Sequence, residues 1–376
     1  MDIILFGGAF NPVHIEHVAL ARAAVQKIKP EKLIVIPTAV SPHKFGRVTA
    51  ENEDRLNMCR AAFADIPSVE VSDFEIANGG VSYSYITCEH FASLYPEARL
   101  FFLMGADQLA SFPGWKNPSR ILSKAVLLAG ERRGAPDFAL AKSSVENMFS
   151  VRVESVGYAG SAVDSTRVRT LAALGEDFSA YVLPSVGQYI KERGLYLRPD
   201  LLNVKSFEKP SRWQHSVRVA VMCAQNAQRA GLGERDAVTM AALHDVSKNL
   251  PANSPLLSGF VPPPNVPPPV MHQYSGAYVA QNHFGVNDER LLSAIRFHTS
   301  GRPGMTKPEM LLFLCDMLEE GRSFPGVEKL RALFKVDLVR CMYAALEHQL
   351  NYLNGTGEQI YPLTINAYLY LKEFLT

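Results

Sequence analysis

Two groups of residues in this chain have the types and spacings that handle phosphate chemistry. The first follows an apolar run at the amino terminus, in FGGAFNPVHIEHVALARAA (6–24). Gly7 and Gly8 let a ligand approach the backbone closely, Asn11 can cap a helix, and Pro12 suits its first position. His14 and His17 follow three apart, on one face of that helix's first turn. A helix amino terminus attracts anions because its first amides lack intrahelical partners and its dipole is positive there. Glycine pairs and surface histidines are each common. Their coincidence between a strand and a helix points to an anion site.

The second group is spread through the carboxyl-terminal half, which holds six of the ten histidines. His215 opens a long helical pattern, and His244-Asp245 closes a stretch in which Ala237, Met240 and Ala241 share the face of His244. His272 begins HQYSGAYVAQ, His298 follows Ala294 and Ile295, and Asp316 follows Leu312 and Phe313. One histidine on an apolar helix face is ordinarily a hydrogen-bonded core residue. Four of them with two aspartates need another reason, because buried ionisable groups are costly unless paired or bound to metal. Imidazole with carboxylate suits iron, manganese, cobalt or zinc. Lys248, four after His244, and Arg302, in a glycine-flanked loop, are cations placed to meet phosphate. His283 and His348 lack such surroundings and read as ordinary residues.

Different architectures must position the two groups. Up to about residue 196, the β-rich runs IILF (3–6), KLIVIP (32–37), SVEVSDFEI (68–76), RLFFLMG (99–105) and KAVLLAG (124–130) alternate with helical stretches such as EHVALARAAVQKI (16–28). Continuous apolar strands joined by helices predict an α/β doubly wound parallel sheet, whose ligands sit beyond the carboxyl ends of the strands. After GLYLRPDLLNVKSFEKP (194–210) the period becomes helical: Trp213, Val217, Ala220, Val221 and Ala224 recur at three and four, and Gly231 offers a stop. The remainder is predicted to be all-α, interrupted by a polyproline-like loop at FVPPPNVPPPV (260–270). Domains are expected at 1–198 and 203–376.

Composition narrows the classes further. A chain of 376 residues exceeds what one core usually organises, and 47% hydrophobic with 20% charged residues is ordinary for folded proteins. A net charge of +1 supplies no global field for a nucleic-acid backbone. No apolar run reaches the roughly 18 residues that span a bilayer, and MDIILF meets Gly7-Gly8 too soon for a signal peptide. Neither nucleic acid nor membrane is expected as a partner, and the cytoplasm is the expected location. Five scattered cysteines, an odd number without C-x-x-C spacing, read as small buried residues in a reducing compartment.

The string G-G-x-F-x-P-x-H-x-x-H after the first strand resembles the signature of the nucleotidyltransferase superfamily. PTAVSPHK (37–44), Arg55, SYSYITCEHF (82–91), MGADQLASFPGW (104–115) and VDSTRVR (163–169) follow in the order found in bacterial nicotinate-nucleotide adenylyltransferases. This resemblance covers 1–196. It implies transfer of AMP from ATP, with Mg2+ accompanying the phosphates, onto nicotinate mononucleotide to give deamido-NAD and pyrophosphate. By it, His14, His17, Lys44 and Arg169 would be the catalytic donors and cations. Gly7, Gly8, Phe10, Ser165 and Thr166 would meet ATP. Ser84, Asp107, Trp115 and Arg132 would meet nicotinate mononucleotide, with the Trp115 indole as a platform for the pyridine ring. Two positions depart from the pattern: Glu16 stands where such sequences usually have glycine, and Ile86 where they usually have aspartate.

In the second half, the order H…HD…H…H…D resembles the HD phosphohydrolase superfamily. AIRFHTSGRPGM (294–305), followed by a helix with Asp316, is similar to its bacterial symmetrical bis(5′-nucleosyl)-tetraphosphatases. That resemblance, over about 206–350, implies that His215, His244, Asp245, His272, His298 and Asp316 hold two divalent metals, iron by the family's habit. Diadenosine tetraphosphate would be split into two ADP, with Lys248 and Arg302 on its phosphates. Two alternatives stay open: another phosphate acceptor for the first half, and a non-catalytic, nucleotide-binding regulatory role for the second. Homo-oligomerisation is open as well.

Overall fold

The computed structural model describes residues 1–40, 49–132, 137–357 and 359–375. Strands β1 (Asp2–Gly8), β2 (Lys32–Pro37), β3 (Val69–Val71), β4 (Arg99–Gly105), β5 (Ala125–Arg132) and β6 (Glu154–Gly160) form one sheet in the order β3-β2-β1-β4-β5-β6. Every pairing is parallel. Around it lie α1 (Ile15–Ile28), α2 (Asn52–Phe63), α3 (Phe74–Asn78), α4 (Ser84–Leu94), α5 (Ala106–Ser111), α6 (Pro118–Leu122), α7 (Phe138–Phe149), α8 (Ser165–Ala173) and α9 (Pro184–Glu192). Ile3, Ile4 and Leu5 are successive and all 0% exposed. Since neighbouring strand side chains point to opposite faces, the sheet is covered on both, as a doubly wound fold requires. Strand order reverses between β1 and β4, so the loops leaving those two strands flank the crevice where ligands bind in such folds.

Two elements differ from the sequence expectation. SVEVSDFEI is a strand only over Val69–Val71; Ser72 Oγ accepts from the Phe74 amide at 3.2 Å, the chain turns, and Phe74–Asn78 is helical. Alternating apolar residues mimic a longer strand there because Glu75 points inward and its carboxylate accepts from Thr87. Strand β6, ESVGYAG, has no apolar run to announce it. It is an edge strand with Gly157 at φ 69°, paired to β5 across a register shift at Ala129/Glu131.

Beyond Leu197 the described residues contain no strand. The helices are α10 (Pro210–Asn226), α11 (Glu234–Leu243), α12 (Pro268–Phe284), α13 (Glu289–Phe297), α14 (Lys307–Leu318), α15 (Val327–Val336), α16 (Leu338–Thr356) and α17 (Pro362–Leu375). Helix α10 packs on α11 and α14, while α13 packs on α11, α12 and α14. Met240, Ala241, Leu243, Ile295, Leu311 and Leu312 are fully buried in this unit. Gly231, at φ 68°, ends the helical stretch that began at Pro210, as expected. The proline-rich loop is shorter than expected. Pro268 and Pro269 begin α12, at first-turn positions where a missing N–H leaves no helix bond unmade.

The contacts divide the chain into two compact units. One includes the sheet and ends at Tyr196; the other holds the segment from Leu197 onward together with Thr170–Glu176. All five cysteines are free and buried. Among the described residues, no helix is long and apolar enough to cross a membrane.

Candidate functional site

In the first unit, the candidate residues gather at the carboxyl ends of the parallel strands. Gly7 and Gly8 close β1, paired with Ile36 and Pro37. A Cβ on Gly8 would lie 3.0 Å from the Phe10 ring, a tight contact that would press on that ring; one on Gly7 would make only ordinary contact with Phe102. Phe10 is 1% exposed, edge-on to Phe6 at 5.2 Å and to His17 at 5.1 Å. Its ring packs into the core beside His17. Helix α1 starts at Ile15 with His14 as its N-cap, so Asn11 and Pro12 precede the helix and do not open it. The Asn11 carboxamide is used elsewhere: Oδ1 accepts from the Ala50 amide at 3.0 Å and from the Tyr196 hydroxyl at 2.9 Å.

The two histidines lie together, their ring centroids 3.7 Å apart. The His14 amide donates to His17 Nδ1 at 3.1 Å. An Nδ1 that accepts leaves the proton of a neutral imidazole on Nε2, so His17 has an N–H to donate. Around them, two buried arginines shape the loop. Arg55, 1% exposed, donates to the carbonyls of Ala9 (2.8 Å), Thr38 (2.6 Å) and Ala39 (3.2 Å), joining the loops after β1 and β2. Arg169, 3% exposed, donates to the Asn11 carbonyl at 2.5 Å and to Thr166 Oγ1 at 3.0 Å, and Ser165 Oγ donates to the Pro12 carbonyl at 2.9 Å. These polar groups of α8 brace the β1–α1 loop. The helix cap itself is Asp164, whose Oδ1 accepts from the Arg167 amide at 2.8 Å.

Of the residues expected to meet the acceptor, Ser84 begins α4, Asp107 is exposed in the first turn of α5, and Trp115 is half-buried just after a 3-10 turn at Phe112–Gly114. The Trp115 ring packs edge-on to Phe102 at 6.1 Å, and its Nε1 donates to Ser111 Oγ at 3.3 Å. Arg132 ends β5. Lys44 lies outside the described residues.

In the second unit all six ligand candidates converge from α10, α12, α14 and the ends of α11 and α13. Two groups of three, His215-His244-Asp316 and His244-Asp245-His298, share His244, the ligand atoms within each lying no more than 4.8 Å apart. His215 Nε2 is 2.9 Å from Asp316 Oδ1, and His272 Nε2 is 3.2 Å from Asp245 Oδ1 and 3.1 Å from His298 Nε2. Three of the four histidines have an acceptor at Nδ1. His244 Nδ1 meets the Ala241 carbonyl at 2.6 Å, His298 Nδ1 the Ile295 carbonyl at 2.7 Å, and His215 Nδ1 the buried Glu319 carboxylate at 3.1 Å. For His244 and His298, donation from Nδ1 leaves an Nε2 lone pair facing the cluster, the arrangement in which histidine ligates metal. Burial pushes His244 down to about 3 and His272 down as well, so both are neutral near pH 7. Against burial, which alone would raise them, neighbouring imidazoles hold Asp245 and Asp316 well below the usual carboxylate range. His244 Nε2 is buried with no hydrogen-bond partner among the described residues. A lone pair so placed, inside a mixed imidazole and carboxylate set, fits a divalent metal.

Three cations rim this cluster. Arg212 Nη1 donates to Asp245 Oδ2 at 3.0 Å, Lys248 Nζ lies 3.3 Å from Asp245 Oδ1, and Arg322 Nη2 donates to Asp316 Oδ1 at 2.8 Å. Sequence reasoning named Lys248 but missed Arg212 and Arg322. Their only signal was proximity, three residues before His215 and six after Asp316. Arg302 is tied to its own loop: its guanidinium donates to Glu309 Oε1 at 2.9 Å and to the Pro303 carbonyl at 3.0 Å. Glu309, 0% exposed, also accepts from Thr306 N at 2.5 Å and from Ser293, so Arg302 holds its own loop together.

With the two sites described, comparisons place the chain among known proteins. The cytidylyltransferase-like family matches residues 5–171, and the HD domain family matches residues 212–321. A Mycoplasma genitalium protein named a probable nicotinate-nucleotide adenylyltransferase/Ap4A hydrolase is 30% identical over 324 residues, 85% of this chain and 88% of its own. A probable nicotinate-nucleotide adenylyltransferase of Clostridium tetani is 33% identical over 51% of this chain and 97% of its own. Among solved structures, a predicted HD superfamily hydrolase involved in NAD metabolism from Clostridium acetobutylicum is 26% identical, with a TM-score of 0.43, over 46% of this chain and 96% of its own.

Proposed function

Since the chain belongs to the family that joins a nicotinate-nucleotide adenylyltransferase domain to an HD domain, we propose that residues 1–198 transfer AMP from ATP to nicotinate mononucleotide and that residues 203–376 are a metal-dependent phosphohydrolase. The observation behind the first reading is the close pairing of His14 and His17 at the entrance to α1, beside the strand-order reversal. An oxygen of the acceptor phosphate attacks the α-phosphorus of ATP. One P–O bond forms, the bond to the β-phosphate bridge breaks, and pyrophosphate leaves with its electron pair. The acceptor is already a nucleophile, so the protein's task is to align the reactants and stabilise spreading negative charge. His17 Nε2–H and His14 are the donors for that charge, Lys44 adds a cation, and Mg2+ enters with the ATP phosphates. Arg169 and Arg55 shape the loop that presents the histidines. Trp115 supplies a flat apolar face for the pyridine ring, with Ser84, Asp107 and Arg132 on the acceptor side. Incubation with ATP and nicotinate mononucleotide tests this reading. Equal amounts of deamido-NAD and pyrophosphate are expected, and turnover only with a different phosphate acceptor would overturn it.

In the HD domain, two divalent metals, iron among the candidates, would be held by His215, His244, Asp245, His272, His298 and Asp316. When bound they supply a hydroxide nucleophile and clamp phosphate oxygens. The chain's own contribution is to keep two imidazoles in one tautomer, to exclude water from His244, and to set Arg212, Lys248 and Arg322 at the rim for a polyphosphate. Diadenosine tetraphosphate, cleaved by water into two ADP, is the substrate this reading favours. Metal analysis of the purified chain with an assay for ADP release tests it; bound metal without turnover would support a regulatory domain instead.

A further inference from the structure

Glu16 is the acid that stands between the two histidines, in the first turn of a helix whose amino terminus serves an anionic substrate. Its carboxylate accepts three hydrogen bonds, from the Tyr158 hydroxyl at 2.8 Å, the Ser161 amide at 3.0 Å and the Ser161 hydroxyl at 2.7 Å. All three donors lie at the end of β6, where the chain turns into α8. The approach is close enough that a Cβ on Gly160 would collide with Glu16 Oε2. A second seam joins the same parts of the fold, made by Ser165 to the Pro12 carbonyl and Arg169 to the Asn11 carbonyl. The β6–α8 turn is thus fastened to the β1–α1 region at two places, just before the histidine pair and between its two members. Donors directed at the carboxylate also disperse its charge, which reconciles an acid with a phosphate site.

We propose that Glu16 is a positioning residue for adenylyl transfer: by latching the β6–α8 turn to the first turn of α1, it sets the spacing between the histidine pair and the amino terminus of α8. The inference rests on the transferase reading above. Its requirement is for acceptor oxygens at this place, so the amide of glutamine should serve in part while alanine should not. Substrate alignment is steeply distance-dependent, a displacement of about 1 Å costing up to about 100-fold in rate.

The experiment compares Glu16→Ala, Glu16→Gln and Gly160→Ala, which breaks the latch from the other side. It measures thermal melting, ATP affinity by titration with ATP alone, and kcat and KM for both substrates. Expected are a fall in kcat of about 10-fold to 100-fold and weaker ATP binding for Glu16→Ala and Gly160→Ala, unchanged KM for the acceptor, and recovery of most of kcat in Glu16→Gln. Wild-type kcat and ATP affinity in Glu16→Ala would overturn the proposal. So would equal damage in Glu16→Gln, which would assign the effect to charge, or a parallel rise in acceptor KM, which would mark a general distortion. Should the wild-type chain transfer no AMP, the transferase reading fails, and the ATP titration still reports whether the latch orders the nucleotide site.

Discussion

His17 shows how much of its chemistry one residue owes to its neighbours. The His14 amide decides which nitrogen bears the proton, and the edge of Phe10 supports the ring from below. Replacing His17 by alanine should lower kcat for adenylyl transfer by about 100-fold to 1000-fold, the usual loss for one transition-state donor, with melting temperature little changed. An unchanged kcat would remove this imidazole from the mechanism. At the same scale, Glu208 gives the second unit a pH dependence. The residue is 7% exposed, its Oε2 accepts from Ser216 Oγ, and burial pushes its carboxyl up to about 7. Below roughly pH 4 folded and unfolded chains both hold the proton; as pH rises toward 7 the unfolded chain releases it first, so stability falls through that window and then levels. The full effect is on the order of 3 kcal/mol. Glu208→Gln should therefore melt above the wild type at about pH 8, with the difference gone at about pH 4. A difference that grew on acidification would contradict this. The histidine pair was legible because its residue types are rare in that setting. The contacts of Phe10, Asn11 and Arg302 were not, since each depends on a neighbour that residue type alone does not identify.

At the scale of elements, the strands do little chemistry but decide where loops emerge. The parallel sheet was readable from apolar runs, because strands buried on both faces have no polar alternation to disguise them. Strand β6 escaped because an edge strand with a bulge needs no such run, and α3 escaped because an inward-pointing glutamate imitates a strand's alternation. Arg55 of α2 ties two of the loops together. Without its guanidinium the half-buried carbonyls of Ala9, Thr38 and Ala39 lose these charge-assisted bonds, each contributing about 1.5–3 kcal/mol. Arg55→Ala should lower stability by at least about 3 kcal/mol in urea unfolding, and Arg55→Lys should recover only part, because an ammonium cannot reproduce the planar fork. Full recovery by lysine would show that charge alone, without the fork, secures these loops.

For the whole molecule, two candidate sites occur in one chain without sharing residues. The histidine pair and its buttresses belong to one compact unit, and the six metal-ligand candidates to the other. Asp245→Ala, which removes a carboxylate that faces three imidazoles, should abolish metal-dependent hydrolysis and leave adenylyl transfer within about 2-fold of the wild type, as expected for sites with no common partners. Loss of both activities in a folded protein would contradict independent sites. The change of period after residue 210 made the division readable, whereas the rim arginines needed the folded helices to bring them to the cluster. The central claim concerns where the nucleotide polyphosphate lies, and a crystal structure with a non-hydrolysable ATP analogue addresses it most directly. The account predicts the α-phosphate within hydrogen-bond distance of His14 and His17, between the entrances to α1 and α8. Phosphates seated elsewhere, with both imidazoles free of them, would contradict it.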